Sequence, residues 1–167
     1  DLDYNSENLP WRVQSAISGG GYFYDLAPHQ LDFLQYLFGC ILEVEGFCSN
    51  RGGLYKAEDT LSACFKFQNG LPGSGSWCFV AHESAKEDRI EIVGDEGMIC
   101  FSVYTFDPIA LHTKTGREEI HIENPPCVQL PLIKAVIEHI QGKGICNCNG
   151  QSATMTDWVM DRILGKI

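Results

Sequence analysis

The chain has 167 residues, of which 44% are hydrophobic, and it carries a formal net charge of −10 at pH 7. A chain of this length and composition buries enough apolar surface to fold as one domain without disulfides or metal ions. Its negative charge argues against nucleic acid or an anionic membrane as a partner, because both would repel it. No apolar run approaches the roughly 20 residues of a membrane span, and the polar N-terminus has no signal-peptide core.

A helix is predicted between the triple glycine Gly19–Gly21 and Gly39. At roughly 100° per residue, four polar side chains share one narrow edge of this helix: Asp25, His29, Asp32 and Tyr36. The rest of the wheel is apolar and is predicted to pack inward, as Leu26, Leu31, Phe33, Leu34, Leu37 and Phe38. One edge of the helix is therefore left for chemistry or for water.

This polar edge has two interpretations. A histidine with a carboxylate one turn away, such as His29 with Asp25, is a common general acid–base arrangement, because the carboxylate fixes the imidazole tautomer and stabilises the imidazolium. Alternatively, the edge is a solvated face on which Pro28 and the acidic residues are ordinary first-turn residues. The pattern taken alone favours the solvated face.

Most of the chain after this helix is predicted to be β-structure. Segments rich in β-branched and aromatic residues indicate strands at 41–49, 60–68, 73–81, 89–93, 97–103, 109–113 and 118–122. Residues that tolerate positive φ occupy three connections, so neighbouring strands are expected to pair antiparallel: 68–70, 94–97 and 114–116. Two helices follow, one with a face of Leu130, Ile133, Ile137 and Ile140 and a stop at Gly142, the other at 154–164 burying Trp158, Val159 and Ile163.

The eight cysteines are predicted to be free thiols. They contain no Cys-x-x-Cys pair and no histidine at zinc-finger spacing. Most lie in apolar strand patterns, as Cys64 and Cys100 do, where a reduced thiol acts as a small hydrophobic residue. This favours a reducing, cytoplasmic location and no bound metal. Cys146-x-Cys148 leaves a disulfide or a soft-metal role open, although two thiols on one face of a loop or strand fit the pattern better.

Several motifs match one family in residue type and spacing. They are Trp11-Arg12, the triple glycine followed by Asp25-x-x-x-His29-x-x-Asp32 and an apolar run ending in Gly39, then Glu58-Asp59-Thr60, Asn69-Gly70 and Asp88–Gly97. Together they resemble the second domain of the glucose–fructose oxidoreductase, inositol dehydrogenase and rhizopine-catabolism family of nicotinamide-dependent oxidoreductases, over nearly the whole chain. The departures are Ala27, where many relatives have glycine, and Pro28 directly before the histidine.

The resemblance implies an α+β fold, with a large, mostly antiparallel β-sheet and helices packed on one face, as the C-terminal domain of a two-domain dehydrogenase. Residues 1–10 are then the end of a connecting segment, and residues 11–167 form a substrate-binding and oligomerisation domain. An N-terminal Rossmann domain is absent from the chain, because neither Gly19–Gly21 nor Gly73-x-Gly75 has the spacing of a phosphate-binding turn. We expect NAD or NADP to be bound mainly by that missing domain, and no cofactor to be bound by this chain alone.

By resemblance, the whole protein is expected to be an oxidoreductase that acts on a sugar, a polyol or a related hydroxy compound. His29 would transfer the substrate proton, Asp25 would orient it or bind a substrate hydroxyl, and a lysine of the missing domain would complete the set. A competing function is a non-enzymatic regulator or sensor that keeps the fold and binds a related ligand without turnover. The presence of that lysine in the missing domain would favour the enzyme.

Further residues are candidates for contact with the substrate. Arg12 can hold a hydroxyl or a carboxylate bidentately, and Trp11 or Trp77 can offer a flat apolar wall to a sugar ring. Asp32 lies on the polar edge of the helix, and His82 follows a predicted strand.

The face of the sheet opposite the helices also has two interpretations. The resemblance implies that it packs against another subunit in a homodimer or homotetramer. Alternatively it is a solvated face, to which alternating polar residues contribute: Glu43, Glu45, Lys66, Ser74, Ser76, Glu91 and Ser102.

Overall fold

The computed structural model describes residues 8–167, and residues 1–7 of the predicted connecting segment lie outside the described range. The described residues form two compact units, one comprising the residues up to His82 together with Asn147–Ile167, the other comprising Glu83–Cys146. The elements follow in chain order as α1 (Ser15–Ser18), α2 (Tyr22–Phe38), β1 (Ile41–Ser49), β2 (Thr60–Phe67), β3 (Pro72–Cys78), β4 (Ile90–Val93), β5 (Gly97–Phe101), β6 (Ile109–Thr113), β7 (Gly116–Ile120), α3 (Leu130–Ile140) and α4 (Gly150–Ile163), with 3-10 turns at Trp11–Val13 and Glu83–Ala85.

Strands β1, β2 and β3 form an antiparallel sheet in the first unit, in that order. Successive side chains of a strand point to opposite faces, so alternate residues of β2 are buried: Leu61, Ala63, Phe65 and Phe67. Helices α2 and α4 cover this face. The ring of Phe23 in α2 meets that of Trp77 in β3 with centroids 5.1 Å apart, and α4 adds Val159, Met160 and Ile163 to the same core.

The inward face of α2 is narrower than the sequence predicts. Its buried residues include Phe23, Ala27 and Leu31, and Leu34 and Phe38 pack against the same core. Phe33 and Leu37, which were expected to pack inward, are exposed. Only one side of a helix can face the sheet and α4, so apolar positions beyond that side remain at the surface.

Strands β4 to β7 form a second antiparallel sheet in the other unit, in chain order. The α+β class and the antiparallel pairing are thereby confirmed. The strands are divided between sheets of three and four strands, however, rather than joined in one large sheet. Helix α3 also lies in this unit, and its predicted apolar face is exposed at Ile133, Ile137 and Ile140.

A buried carboxylate anchors the connection between β1 and β2. Asp59 has no exposed surface (0%). Its Oδ1 accepts hydrogen bonds from the backbone N–H of Arg51 at 2.8 Å and the hydroxyl of Thr60 at 2.9 Å, and its Oδ2 accepts one from the N–H of Gly52 at 2.7 Å. Because a buried polar group is costly when it has no partner, these bonds fix the loop that precedes β2.

The cysteines differ from the expected pattern in two places. Cys64 lies on the outward face of β2 and is exposed, so it does not act as a core residue. The two thiols of Cys146-x-Cys148 differ in exposure, since Cys146 is buried whereas Cys148 is exposed. Among the described residues, no helix combines the length and apolar composition needed to cross a membrane.

Candidate active site

The triple glycine sets the position of α2 by close packing. Gly19 ends α1 with a φ of +79°, a left-handed conformation that only glycine adopts without strain. A Cβ atom on Gly21 would lie 2.7 Å from the Cβ of Ala57, which is too close for any other residue. These glycines therefore serve the packing of the chain before α2, which agrees with the absence of a phosphate-binding spacing.

Helix α2 begins at Tyr22, directly after Gly21, and Pro28 lies in its interior. The interpretation of Pro28 as a first-turn residue is therefore wrong. A proline inside a helix lacks the N–H that would bond to the carbonyl of the preceding turn, so the backbone bonding of α2 is interrupted next to His29.

A cavity of about 570 Å³ lies between α2 and the first two turns of α4, together with the two residues Asn147 and Cys148 that precede α4. Small-molecule sites commonly have volumes of roughly 300–1,000 Å³. From α2 the cavity is lined by Pro28, His29, Asp32, Phe33, Gln35 and Tyr36, followed by Cys40. From the other side it is lined by Asn147, Cys148, Ser152, Ala153, Met155, Thr156 and Asp157. We take this cavity as the candidate active site.

The structure brings together three of the four polar-edge residues at this cavity. His29 and Tyr36 are exposed and Asp32 is half-buried, and all three line the cavity wall. His29 therefore lies in an open cleft rather than among the core residues of α2. A proton-transferring group needs this kind of access to a bound ligand.

Asp25, the fourth residue of the edge, has a different environment. It does not line the cavity, and its Oδ2 accepts a hydrogen bond from Nε of Arg12 at 2.7 Å. The guanidinium of Arg12 also lies 4.8 Å from the centre of the Trp11 ring, within the range of a cation–π contact. Trp11, Arg12 and Asp25 thus form one surface cluster at the start of α2, in which Arg12 is already paired with a carboxylate.

The other two predicted contact residues lie elsewhere. Trp77 packs edge-on against Phe23, and its Nε1–H donates to Oε1 of Gln30 at 2.7 Å. It is half-buried against the core and does not line the cavity. His82 is exposed in the loop beyond β3, which ends at Cys78 rather than at residue 81. It does not line the cavity.

The cavity wall contributed by α4 was not predicted from the sequence. Helix α4 begins at Gly150, one turn before the predicted start, because Asn149 caps it. The Asn149 side chain accepts hydrogen bonds from the N–H groups of Gln151 and Ser152, and the backbone N–H of Asn149 donates to the Ser152 hydroxyl at 3.1 Å. This Asn-x-x-Ser pattern is a recognisable capping box. If this pattern is read in the sequence, it predicts a helix that begins early enough to include Ser152. The pattern does not, however, predict that the helix packs beside α2.

The cavity lining has more acidic than basic side chains. Its lining, which belongs entirely to the described part of the chain, holds the carboxylates of Asp32 and Asp157 and contains no lysine or arginine. Hydroxyl and amide groups supply the remaining polar contacts. An anionic ligand would be repelled by this wall, whereas a neutral ligand with several hydroxyl groups can donate to the carboxylates.

A second polar cluster joins α2 to the end of α4. The Tyr24 hydroxyl donates to Asp161 and accepts a hydrogen bond from Nζ of Lys166 at 2.8 Å. Burial, together with the hydrogen bond and negative charge of Asp161, raises the pKa of Tyr24 well above its usual value of 10.0. The phenol therefore stays protonated and links the two helices, rather than exchanging protons with a ligand.

Comparison with known proteins agrees with this architecture. The sequence profile of the GFO/IDH/MocA C-terminal domain matches residues 2–100. The chain belongs to the GFO/IDH/MocA family. Oxidoreductase P35 of Formosa agariphila is 35% identical over 156 residues, which make up 93% of this chain and 47% of that protein.

Solved structures of oxidoreductases share the fold of this GFO/IDH/MocA domain. Levoglucosan dehydrogenase in complex with NADH and levoglucosan superposes with a TM-score of 0.84 at 20% identity, covering 99% of this chain and 53% of the other. An NAD-binding oxidoreductase from Klebsiella pneumoniae gives 0.77 at 18% identity, covering 99% and 55%. The chain thus spans about half the length of these relatives.

Proposed function

We propose that this chain is the substrate-binding domain of a nicotinamide-dependent oxidoreductase that acts on a sugar, a polyol or a related hydroxy compound. The observation that carries the proposal is the shared cavity of His29 and Asp32 on the polar edge of α2. The names of the relatives support it, since one is an oxidoreductase and another is levoglucosan dehydrogenase with NADH and levoglucosan bound.

The residues of this chain would hold the substrate and move its proton. Oxidation of an alcohol removes a hydride from carbon and a proton from the hydroxyl; the nicotinamide, when bound, supplies the hydride acceptor. His29 would accept the hydroxyl proton, and Asp32 would accept a hydrogen bond from a neighbouring hydroxyl. Phe33 and Met155, which also line the cavity, would contact the apolar face of a sugar ring.

The dinucleotide itself does not fit a loop of this domain. Gly20 and Gly21 pack closely against Tyr24 and Ala57, and the triple glycine, although it precedes α2, lacks the Gly-x-Gly-x-x-Gly spacing of a pyrophosphate site. Gly73 and Gly75 lie within β3 and lead into no helix. We therefore propose that a separate N-terminal domain binds NAD or NADP, and that this chain without it has no dehydrogenase activity.

The first prediction tests this proposal with two proteins. Full-length protein, with an N-terminal nucleotide-binding domain attached, is expected to form NADH or NADPH from a neutral sugar or polyol, with levoglucosan as the first compound tried and absorbance at 340 nm as the measurement. The same assay with phosphorylated or carboxylated sugars is expected to give little turnover because of Asp32 and Asp157. The 167-residue chain alone is expected to bind neither cofactor at micromolar concentration by calorimetry.

Two results would contradict this prediction. Micromolar binding of NAD(H) or NADP(H) to the isolated chain would show that the domain holds the cofactor itself. Saturable binding of sugars by the full-length protein without any turnover would instead favour the competing function, a ligand-binding regulator or sensor. A lysine of the nucleotide-binding domain placed near the nicotinamide distinguishes the two cases, because turnover needs it and ligand binding does not.

We also propose that the chain forms a homodimer or homotetramer through the outward face of the β1–β3 sheet, and that it works in the cytoplasm, where its eight thiols would stay reduced. The outward face is largely polar, with Lys66 paired to Glu43 and Ser62 bonded to Ser76 at 3.2 Å. Phe47 stands among these residues and is 83% exposed. An exposed aromatic ring within a polar rim is typical of an interface anchor.

The second prediction concerns this surface. Phe47→Glu is expected to convert the oligomer to monomer at micromolar concentration, because it removes the apolar anchor and buries a charge at the contact. Light scattering after size-exclusion chromatography measures the mass directly. Ile17→Glu is the matched control, since Ile17 is an exposed apolar residue on α1. A wild-type chain that is monomeric, or a Phe47→Glu variant that keeps the wild-type mass, would show that this face is solvated.

A further inference from the structure

Thr156 is a buried polar residue at the wall of the cavity. It is 2% exposed, and within the described range only Asp59 is likewise both polar and buried. Its Oγ1 lies 2.9 Å from Nε2 of Gln35, 3.3 Å from Oδ1 of Asp32 and 3.3 Å from the carbonyl oxygen of Ser152. One hydroxyl on α4 therefore contacts two side chains of α2.

The direction of these hydrogen bonds follows from Ile41. The backbone N–H of Ile41 donates to Oε1 of Gln35 at 3.1 Å, and an N–H can only meet the oxygen of that amide. The amide nitrogen of Gln35 must then face Thr156, and the Thr156 oxygen accepts from it. The single hydroxyl hydrogen of Thr156 is left for Asp32 or for Ser152.

The carboxylate is the stronger of these two acceptors. A hydrogen bond to a charged acceptor is roughly twice as strong as one between neutral groups, whereas the bond to Ser152 is the back-bond that any threonine makes to the preceding turn of its helix. The chain of bonds thus runs from Ile41 through Gln35 and Thr156 to Asp32. Gln35 accepts from Ile41 and donates to Thr156, so its amide is held in one orientation. The Thr156 hydroxyl, which accepts from that amide, is therefore oriented before any ligand binds.

We propose that Thr156 is a positioning residue that holds the Asp32 carboxylate in one orientation at the cavity wall. With Oδ1 engaged by Thr156, Oδ2 of Asp32 remains available to accept a hydrogen bond from a ligand hydroxyl. A fixed acceptor of this kind costs the ligand less ordering than a freely rotating one. The consequence for substrate binding rests on the proposed function, but the orientation of Asp32 does not.

The third prediction tests the orientation in the 167-residue chain without ligand. Three-bond couplings measured by NMR report the χ1 rotamer of Asp32, and the wild-type chain is expected to show one dominant rotamer. Thr156→Val keeps the shape of the side chain but lacks the hydroxyl, so Asp32 is expected to populate at least two rotamers. Thr156→Ser keeps the hydroxyl and is expected to restore the single rotamer. Thr156→Ala provides a second hydroxyl-free variant if Thr156→Val does not fold.

Thr154→Val is the matched control. Thr154 lies on the same helix and makes the same back-bond, to the carbonyl oxygen of Gly150 at 2.8 Å, but it does not line the cavity. Its replacement is expected to leave the Asp32 couplings unchanged. The inference is overturned if Asp32 keeps one rotamer in the hydroxyl-free variants, if it already averages in the wild-type chain, or if Thr154→Val has the same effect as Thr156→Val.

Kinetics of the full-length protein separate positioning from general stability. With the neutral sugar that gives turnover in the assay above, Thr156→Val is expected to lower kcat/KM about tenfold, mainly through KM, as for the loss of one hydrogen bond to a charged group. In an Asp32→Ala background the same substitution is expected to have little further effect, because either change removes the bond between Thr156 and residue 32. Additive losses would show that Thr156 acts independently of Asp32. Absence of turnover would refute the proposed function and leave the NMR result to decide this inference.

Discussion

Replacement of His29 by alanine in the full-length protein is expected to lower kcat by roughly 10²–10⁴-fold, the usual contribution of a positioned acid–base group. His29 lines the cavity beside Asp32 and is exposed, so the hydroxyl of a bound ligand can reach its ring. No other histidine lines this cavity, whose walls belong wholly to the described chain. In the His29→Ala variant, water would have to take the place of the imidazole in accepting the hydroxyl proton of the substrate, and water is a weaker and less well-oriented base.

The same substitution is expected to leave the fold unchanged. An exposed side chain contributes little to packing, and surface substitutions usually alter the free energy of unfolding by less than about 0.5 kcal/mol. Thermal unfolding and the KM for the sugar are the measurements that accompany kcat. A fall in kcat with an unchanged melting temperature would support proton transfer by His29, whereas a fall in both would indicate misfolding.

His121→Ala is the control for this experiment. His121 is also an exposed histidine, but it lies outside the cavity, near Glu119. Its replacement is expected to keep the wild-type kcat. If His29→Ala retains more than about a tenth of the wild-type kcat, the proton transfer must be assigned to another group.

The sequence was a good guide to one wall of the cavity. Helical periodicity placed His29, Asp32 and Tyr36 on a single edge of α2, because neighbours at three and four positions share a helix face. Periodicity cannot tell which flank of an apolar helix will meet its partner, so Phe33 and Leu37 were expected in the core and are instead exposed. Asp25 pairs with Arg12, and Trp77 bonds to Gln30. These pairings join separate segments of the chain, so helical periodicity could not predict them either.

The opposite wall could not be predicted, for the same reason. Thr156 and Asp32 are far apart in the sequence, and nothing in the local pattern of α4 indicates that its Thr156 side faces α2. Threonine is usually exposed in proteins, so its residue type alone predicts a surface position for Thr156. The packing of α4 on β1 and α2 instead brings Thr156 to Gln35 and Asp32.

The strands show how turn geometry limits a prediction of boundaries. The last strand was expected at 118–122, with Lys114–Gly116 as the turn. In the structure only Lys114 and Thr115 form the turn, Gly116 pairs directly with Thr113, and β7 spans Gly116–Ile120. In a hairpin with a two-residue turn, strand pairing resumes immediately after the second turn residue. Strand β7 therefore begins at Gly116 rather than at residue 118.

The largest effect on stability is expected from Asp59→Ala. The carboxylate is fully buried and accepts three hydrogen bonds, two of them from backbone N–H groups of the β1–β2 connection. Alanine would leave these donors without their acceptor, and bonds to a charged group contribute about 1.5–3 kcal/mol each, with incomplete additivity. We expect the free energy of unfolding to fall by about 2–4 kcal/mol, measured by urea denaturation with an unchanged m-value.

Asp59→Asn distinguishes the loss of hydrogen bonds from the loss of packing. Asparagine has nearly the same shape, but its NH₂ group would face one of the two N–H donors, so it is expected to destabilise the chain by about 1–3 kcal/mol, less than alanine does.

Glu43→Ala provides the control, because Glu43 is an exposed carboxylate paired with Lys66 on the outward sheet face, where an ion pair contributes at most about 1 kcal/mol. If Asp59→Ala is no more destabilising than Glu43→Ala, the buried carboxylate does not hold the loop, and the connection before β2 must be fixed by its backbone contacts instead. Those contacts are the bonds from the N–H of Asp59 to Ser49 at 3.1 Å and from the N–H of Phe79 to the Asp59 carbonyl at 2.8 Å.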